Sequence, residues 1–518
     1  MRLPTSIRVA IDRVTAPLGE CQAPRWIFLR GLGLIFFSAF YSLARQVHGL
    51  IGAHGVLPAR DYLEHVASAI GGVSRLWYVP SLFWVSASDA ALVVGVTVGI
   101  ICSLLLTANI WPRAMTLVCT VLFLAFIATL QEFSSYQSDG MLLEAGFISI
   151  FVAPRGFRPG LGHHDPPSRL SLFMLRWEWF RIYFESGLVK LLSGDRHWRD
   201  FTAMDDYYQN GPLPAWPGWY VQHLPHWYHA GTVAVTLFVE LILVWAVFLP
   251  RRFRLGCFAI VTALQLGIVA TANYAFLNYL VLLLGVLLLD DDACRWVARH
   301  VKLQQFLPMT SEPPTVAPRN RVMRVVESIA LGWAFYGTLW AFLAPGSSSF
   351  LAKPEHALAP FRIANAYGLF ATMTEARYEI EFQGSNDSGR TWIAYPFRYK
   401  PQNVMERPGI YAPYQPRFEW NLWFASLGPW QQSTWVVAAQ GRLAEGSRDV
   451  LSLFGRDPFD GHPPTQVRTV LWQYWFTDAA IKRATGAWWR RTSLGVFAGV
   501  VTRGADGQIT FSPATTGR

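Results

Sequence analysis

Cysteine is scarce in this chain and poorly placed for structural use. Its 518 residues hold five: Cys21, Cys102, Cys119, Cys257 and Cys294. Three fall in apolar runs and none lies beyond residue 294, which excludes a disulfide framework for the C-terminal region. No CxxC pair exists, so a thioredoxin-like redox role has no local support. Charge is scarce too. Only 15% of residues are charged, against about 25% in a soluble domain. There is no GxSxG, no HExxH and no phosphate-cradling loop. No basic run is interleaved with stacking aromatics, so nucleic acid is not an expected partner. No cofactor is implied. The N-terminus lacks a cleavable signal: Arg2, Arg8, Arg13 and Arg25 precede the first apolar run, which ends without a small-residue cleavage site and reads as an uncleaved anchor.

What the chain has in excess is apolar and aromatic surface. Hydrophobic residues make up 52%, with 23 Trp and 35 Phe, a composition suited to membrane spans with interfacial aromatic belts. Windows able to cross about 30 Å need roughly 20 residues. They fall at 26–43, 90–108, 112–130, 170–192, 230–249, 254–272 and 325–344. Two shorter windows, 140–153 and 274–289, fit either as short spans or as re-entrant segments. The expected fold is an α-helical polytopic membrane protein of about nine segments, two of them short, with a C-terminal β-containing soluble domain.

The formal charge of +10 is concentrated in a few loops. Counting nine crossings puts the N-terminal arginines, Arg113, Arg155, Arg158, Arg169, the RRFR run at 251–254 and the 290–324 loop on one side. That loop includes Arg295, Arg299, Lys302, Arg319, Arg321 and Arg324. The positive-inside rule makes this side cytoplasmic. Residues 1–25 are then a cytoplasmic segment, 26–345 the membrane domain and 346–491 an extracytoplasmic domain, with 492–518 as a tail. AFLAPGSSSFLAKP forms a linker between the two domains. In the soluble part, RYEIEFQ at 377–383 has the period of a half-buried strand. GSNDSG supplies a turn, and TWIAYPFRY reads as the returning strand, with Pro396 at an edge or bend. VRTVLWQYWF at 467–476 is a further strand, and 435–446 is helical.

The most informative stretch is RWEWFRIYFESGLVKLLSGDRHWRDFTAMDD, 176–206. It starts as a span but contains Arg176, Glu178, Arg181, Glu185 and Lys190. Charges at membrane depth cost several kcal/mol each unless paired or facing a wet cavity. Glu178, Arg181 and Glu185 share one helix face, which must turn inward, either as a buried network fixing register or as a cavity wall. Lys190 reads as a snorkelling side chain, as an ion-pair partner, or as a base of lowered pKa. Beyond it, Asp195, Arg196, His197, Trp198, Arg199, Asp200 and Asp205 form a charged exit loop, either self-paired in solvent, packed on the C-terminal domain, or shaping a client or ligand pocket. His223, His226 and His229 have ligand chemistry for zinc, but Pro225 interrupts their helical spacing, and interfacial histidines are the plainer reading. Glu240 and Gln265 are lone polar residues explained by interhelical hydrogen bonds. Trp420, Trp423, Phe424 and Trp430 are either the core of the soluble domain or an exposed client-binding patch.

Several long stretches resemble the lipase maturation factor family. They are SGDRHWRDFTAMDDYY at 193–208, PLPAWPGWYVQHLPHWYH at 212–229 and ANYAFLNYLVLLLGVLLLDDD at 272–292. In the soluble part they are YEIEFQGSNDSG, PRFEWNLWFASLGP at 416–429, PPTQVRTVLWQYWF at 463–476 and WWRR at 488–491. The resemblance implies a polytopic membrane protein whose animal relatives reside in the endoplasmic reticulum and help secreted lipases fold and assemble, with a client-binding C-terminal domain. The partners it implies are the lipid bilayer and an exported lipase or other secreted client. A composition rich in Ala, Arg, Pro and Trp is bacterial in character, so the membrane is a bacterial inner membrane or that of the reticulum. A redox function is not supported, because the extracytoplasmic regions lack cysteine. Separately, Gly187-Leu188-Val189-Lys190-Leu191 followed by Trp198 is similar to the GxxKL…W pattern of vitamin K-dependent gamma-glutamyl carboxylases, whose catalytic base would fall on Lys190. Three classes stay open: a maturation factor acting by binding, a membrane-embedded enzyme with Lys190 and Glu185 as catalytic candidates, and a transporter. The last is the least supported, since no pair of broken half-helices is visible.

Overall fold

A computed structural model describes residues 5–19, 21–134, 136–302, 320–344, 346 and 349–514. Arg2, Arg319, parts of the linker and residues 515–518 lie outside the described residues. Eleven labelled helices build the N-terminal body, with a further helix at Ala59–Ala69 and shorter helical turns in the loops. They are α1 (Thr5–Val14), α2 (Gln22–Ala44), α3 (Asp89–Thr107), α4 (Pro112–Ile127), α5 (Gln137–Val152) and α6 (Arg169–Leu192), then α7 (His226–Leu241), α8 (Arg251–Thr271), α9 (Leu277–Gly285), α10 (Asp291–His300) and α11 (Arg321–Leu343). The caps follow ordinary chemistry. Ser88 Oγ accepts from Ala91 N (3.3 Å) at α3, Ser168 Oγ from Ser171 N (3.0 Å) at α6 and Asp290 from Ala293 N (2.8 Å) at α10. Gly33 lets α2 and α3 touch: a Cβ there would stand 2.7 Å from Thr107 N and 2.8 Å from Ser103 O.

Among the described residues, five helices are long and apolar enough to cross a membrane: α2, α3, α7 with its 3-10 extension to Phe248, α8 and α11. α4 and α9 with its extension are shorter apolar helices. α6 has the length, 24 residues, but its charges take it out of that class. It is nonetheless the central helix, packed on α5, α7, α9 and α11.

The two ends of the body differ. At one end Asp165 gathers Arg155 (3.0 Å) and Arg113 (3.3 Å), Asp290 holds Arg251 (2.6 Å), and Arg25 donates to the carbonyls of Asp165 (2.7 Å) and Gly162 (2.9 Å). Burial works to raise Asp165, but the Arg155 and Arg113 guanidinium groups hold its carboxyl below its ordinary value. The opposite end carries the C-terminal domain, a five-stranded antiparallel sheet in the order β2-β1-β3-β4-β5. Its strands are β1 (Arg377–Ser385), β2 (Ile393–Ala394), β3 (Gln466–Phe476), β4 (Trp489–Arg503) and β5 (Ile509–Pro513). α12 (Arg417–Ala425) lies on β1, and α13 (Trp435–Glu445) on β3 and β4.

Three local expectations need correction. The tail from 492 is no tail as far as 514. β4 and β5 run through it, and Phe497, Ala498 and Val501 bury themselves against α13. Gly495 and Gly499 blur the strand pattern there, while Gln440 Nε2 donates to Val467 O (3.1 Å) and Gly499 O (3.0 Å) and ties α13 to the sheet. β1 is buried on both faces rather than one, because Glu379 and Glu381 meet Lys400 and Arg491 (2.8 and 3.2 Å). The returning strand is only two residues long. Pro396 has no N–H for the ladder, the Phe397 N–H donates to Gln402 Oε1 (2.9 Å), and those of Arg398, Tyr399 and Lys400 donate to the Glu419 carboxylate (2.9, 2.8 and 2.7 Å).

Candidate functional site

The charged face of α6 is inside the protein. Glu178, Arg181 and Glu185 are each no more than 2% exposed. Arg181 is hydrogen-bonded to Glu144 of α5 and lies 3.8 Å from Glu185. Glu178 sits against the same stretch of α5, beside Glu144 and Ala145. One turn further on, Lys190 pairs with Glu240 of α7 (2.9 Å) and lies 5.0 Å from the Trp198 ring centre. Lys190 is therefore not a snorkelling side chain but an ion-pair partner, with Glu240 as its counter-ion. Gln265 donates to Tyr183 (2.8 Å) and accepts from Asn278 (2.6 Å), so both lone polar residues do bond between helices.

The partner of this face is an irregular strap, residues 362–376, that leads into β1. Irregular backbone is tolerated at membrane depth only where protein satisfies its N–H and C=O groups. Here the ionic residues do so. Arg181 donates to Asn365 O (2.5 Å), and Glu185 accepts from Tyr367 N (2.6 Å). Ser186 Oγ accepts from Leu369 N (3.1 Å), and Lys190 donates to Leu369 O (3.0 Å). Trp198 Nε1 donates to Phe370 O (3.0 Å), Asp195 accepts from Met373 N (2.6 Å), and Asn210 donates to Thr374 O (2.6 Å). Glu144 closes the set by accepting from the Tyr367 hydroxyl (2.8 Å). Burial works to raise Asp195, but the N–H groups of Met373 and His197 hold its carboxyl below the ordinary value.

Of the exit-loop residues, Asp195, His197 and Trp198 join this arrangement directly or through Asp195, whose carboxylate takes His197 Nδ1 at 2.7 Å. Arg196, Arg199 and Asp200 are exposed, with Arg199 reaching back to Leu191 O (2.9 Å). Asp205 turns away to His226 (3.0 Å). The histidines do not converge: His223 bonds Trp219 O (2.6 Å), His226 bonds Asp205, and His229 is buried against Tyr208. Among the described residues, the one trio with ligand atoms close enough for a metal ion is His48, Asp89 and Asp449. Sequence reasoning missed the strap and passed over Glu144. The signal for Glu144 was present, a lone carboxylate inside an apolar window.

Lys190 is poorly set up as a base. Its ammonium is held by the Glu240 carboxylate, Leu369 O and Ser186 O (3.3 Å), which occupy its three protons. The aromatic candidates of the soluble domain divide. Trp420 is buried against Tyr136 and Tyr274, and Trp423 donates to Asn210 O (2.9 Å). Phe424 is 49% exposed. Trp430 packs on Phe511 at the edge of an open groove of about 570 Å³, lined also by Val437, Arg442, Glu445 and Ile509. A second junction secures the domain: Arg417 of α12 and Asp139 of α5, both fully buried, form two parallel bonds of 2.8 Å.

A helical membrane body with a sheet domain strapped to one end by buried charge defines a class, a polytopic membrane protein with an integral extramembrane module. Comparison with known proteins makes it particular. The family model for the lipase maturation factor transmembrane domain matches residues 23–296, and that for the lipase maturation factor C-terminal domain matches 363–499. The chain belongs to the lipase maturation factor family. Its relatives include lipase maturation factor 2 of Gallus gallus, 30% identical over 93% of this chain and 82% of the relative. Lipase maturation factor 1 of Bos taurus is 30% identical over 92% and 89%. Lipase maturation factor 2 of Homo sapiens is 28% identical over 91% and 81%. No solved structure matches the chain.

Proposed function

We propose that this protein matures exported lipases by binding them, without covalent chemistry, at the exposed face of its C-terminal domain. The observation that carries the reading is the open groove between α13 and β5, walled by Trp430, Val437, Ile509 and Phe511 and rimmed by Arg442 and Glu445. An apolar trough with charged edges suits a partly folded protein segment. The saturated Lys190 disfavours the enzyme reading. With nine crossings, the arginine-rich end lies in the cytoplasm and the C-terminal domain faces the periplasm or the reticulum lumen.

The test is a co-expressed secreted lipase whose specific activity depends on this protein. Trp430→Asp should lower that activity about tenfold, as expected for loss of one aromatic anchor, while Lys190→Met, checked for folding, should retain it. The reverse pattern sinks the proposal. The topology is tested with Ala505→Cys, since every native cysteine is buried. The new thiol should react with an impermeant maleimide from the outer side only.

A further inference from the structure

α6, α7, α8 and α9 enclose a cavity of about 590 Å³, within the usual range of about 300–1,000 Å³ for small-molecule sites. Its inner and outer walls differ. Tyr183, Lys190, Gln265 and Asn278 line it from inside and are all less than 8% exposed. Gly231 and Val235 of α7 and Ala263 and Gly267 of α8 line it from outside and are exposed. The cavity therefore opens along the seam between α7 and α8. Both helices belong to the apolar, weakly buried spans, only 33% and 17% inside the protein. The medium at this opening is hydrocarbon rather than water.

Small residues in membrane helices normally let two backbones approach. Gly231 and Gly267 do not serve that end: a Cβ at either would meet nothing within 4 Å. Protein interiors are close-packed, so two glycines facing a void make room for something other than a helix.

The inner wall states what kind of head that occupant has. Lys190 and Glu240 cancel each other at 2.9 Å, leaving no net charge. In the chain from Asn278 to Gln265 to Tyr183, every bond runs toward Tyr183. The tyrosine proton is left to donate, and Asn278 Oδ1 is left to accept. A donor and an acceptor without a free charge match hydroxyl and ester groups, not a phosphate or a free carboxylate.

We propose that this cavity binds an uncharged acyl lipid of the bilayer, its hydroxyl- and ester-bearing head at Tyr183 and Asn278 and its chain leaving between α7 and α8. The proposal is independent of the client.

The test uses the full-length protein in phosphatidylcholine nanodiscs, with a monoacylglycerol carrying a diazirine in its chain as the probe. Photolabelling should concentrate on residues 227–240 and 263–281 and be displaced by unlabelled monoacylglycerol. Gly267→Phe, which fills the outer wall, should cut labelling at least about tenfold, as a blocked pocket does. Gly231→Leu, from the α7 side of the seam, should do the same and serves if the first variant fails to fold. Tyr183→Phe should weaken displacement about fivefold, the size of one hydrogen bond. Wild-type labelling in both filled variants, or even labelling of all spans, overturns the site. Equal displacement by lysophosphatidylglycerol overturns the uncharged head.

Discussion

Helices α6 and α8 are close in length, 24 and 21 residues, and live in opposite surroundings. α8 keeps its charge in its first turn, Arg251, Arg252 and Arg254, and turns most of its remaining surface outward. α6 carries Arg176, Glu178, Arg181, Glu185 and Lys190 along its length and is packed on four neighbours. Hydropathy alone ranks α8 as the better membrane helix, and so it is. The same ranking says nothing about which helix the fold is built on. Three of the α6 charges, Arg181, Glu185 and Lys190, have strap backbone to satisfy, and Arg176 donates to Leu287 O (2.9 Å): the strap needs donors and acceptors, and α6 needs partners for its ions. Neither would be stable alone.

The sharpest way to break this contrast is Arg181→Met. It leaves Glu144 and Glu185 facing the same space without their shared cation, and such a loss costs about 3–5 kcal/mol. Yield and thermal unfolding in detergent read the effect. Leu266→Ala on the outer face of α8, where Leu266 is 54% exposed, should stay within about 0.5 kcal/mol. Equal losses for the two variants would mean that the buried network is not what holds α6.

The Arg417–Asp139 pair extends the comparison from within the membrane body to its junction with the sheet domain. Asp139→Asn should cost about 3 kcal/mol, since a fully buried guanidinium then loses its counter-charge. The loss should show as faster proteolysis within 346–376 and at the α12 segment, with the helical body still folded. Asp139→Leu combined with Arg417→Met should recover part of it, because an apolar pair leaves no stranded ion. If the single variant leaves proteolysis unchanged, the strap alone anchors the domain.

The sequence made α6 and α8 equally visible as helices, and with them most of the body. The 26–43 and 170–192 windows sit inside Gln22–Ala44 and Arg169–Leu192. Apolar runs report helices well because a lipid-facing backbone has no other way to satisfy itself. The strap was illegible for the same reason. Its hydrogen bonds come from side chains nearly 180 residues distant in sequence, such as Asp195 to Met373, and no periodicity records them. Glu240 was read as a lone polar residue, and only the fold shows it facing Lys190. β4 was missed because Gly495 and Gly499 thin its alternation, leaving packing on α13 to define it, and β5 because five residues, Ile509–Pro513, carry too short a pattern without the β4 pairing that holds them. The cluster at 178–198 was legible as buried charge. That it serves the protein's own backbone was not.

Exposed charge should obey a different rule from buried charge, and Asp387 in the β1–β2 turn tests it. The Thr391 N–H and hydroxyl, with the Ser385 hydroxyl, lower its carboxyl to about 2. The folded form thus holds the ionised state more tightly than the unfolded chain, whose aspartates titrate near 3.8. The stability gained is present above that value and lost as pH falls through about 2. Asp387→Asn should therefore melt slightly below the wild type at pH 5, by under about 2 °C, with most of the difference gone by pH 2. A difference that persists undiminished at pH 2 would show that turn geometry, not charge, carries the contribution. A loss as large as that of Arg181→Met would erase the distinction between ions that organise the membrane body and ions that only trim a surface turn.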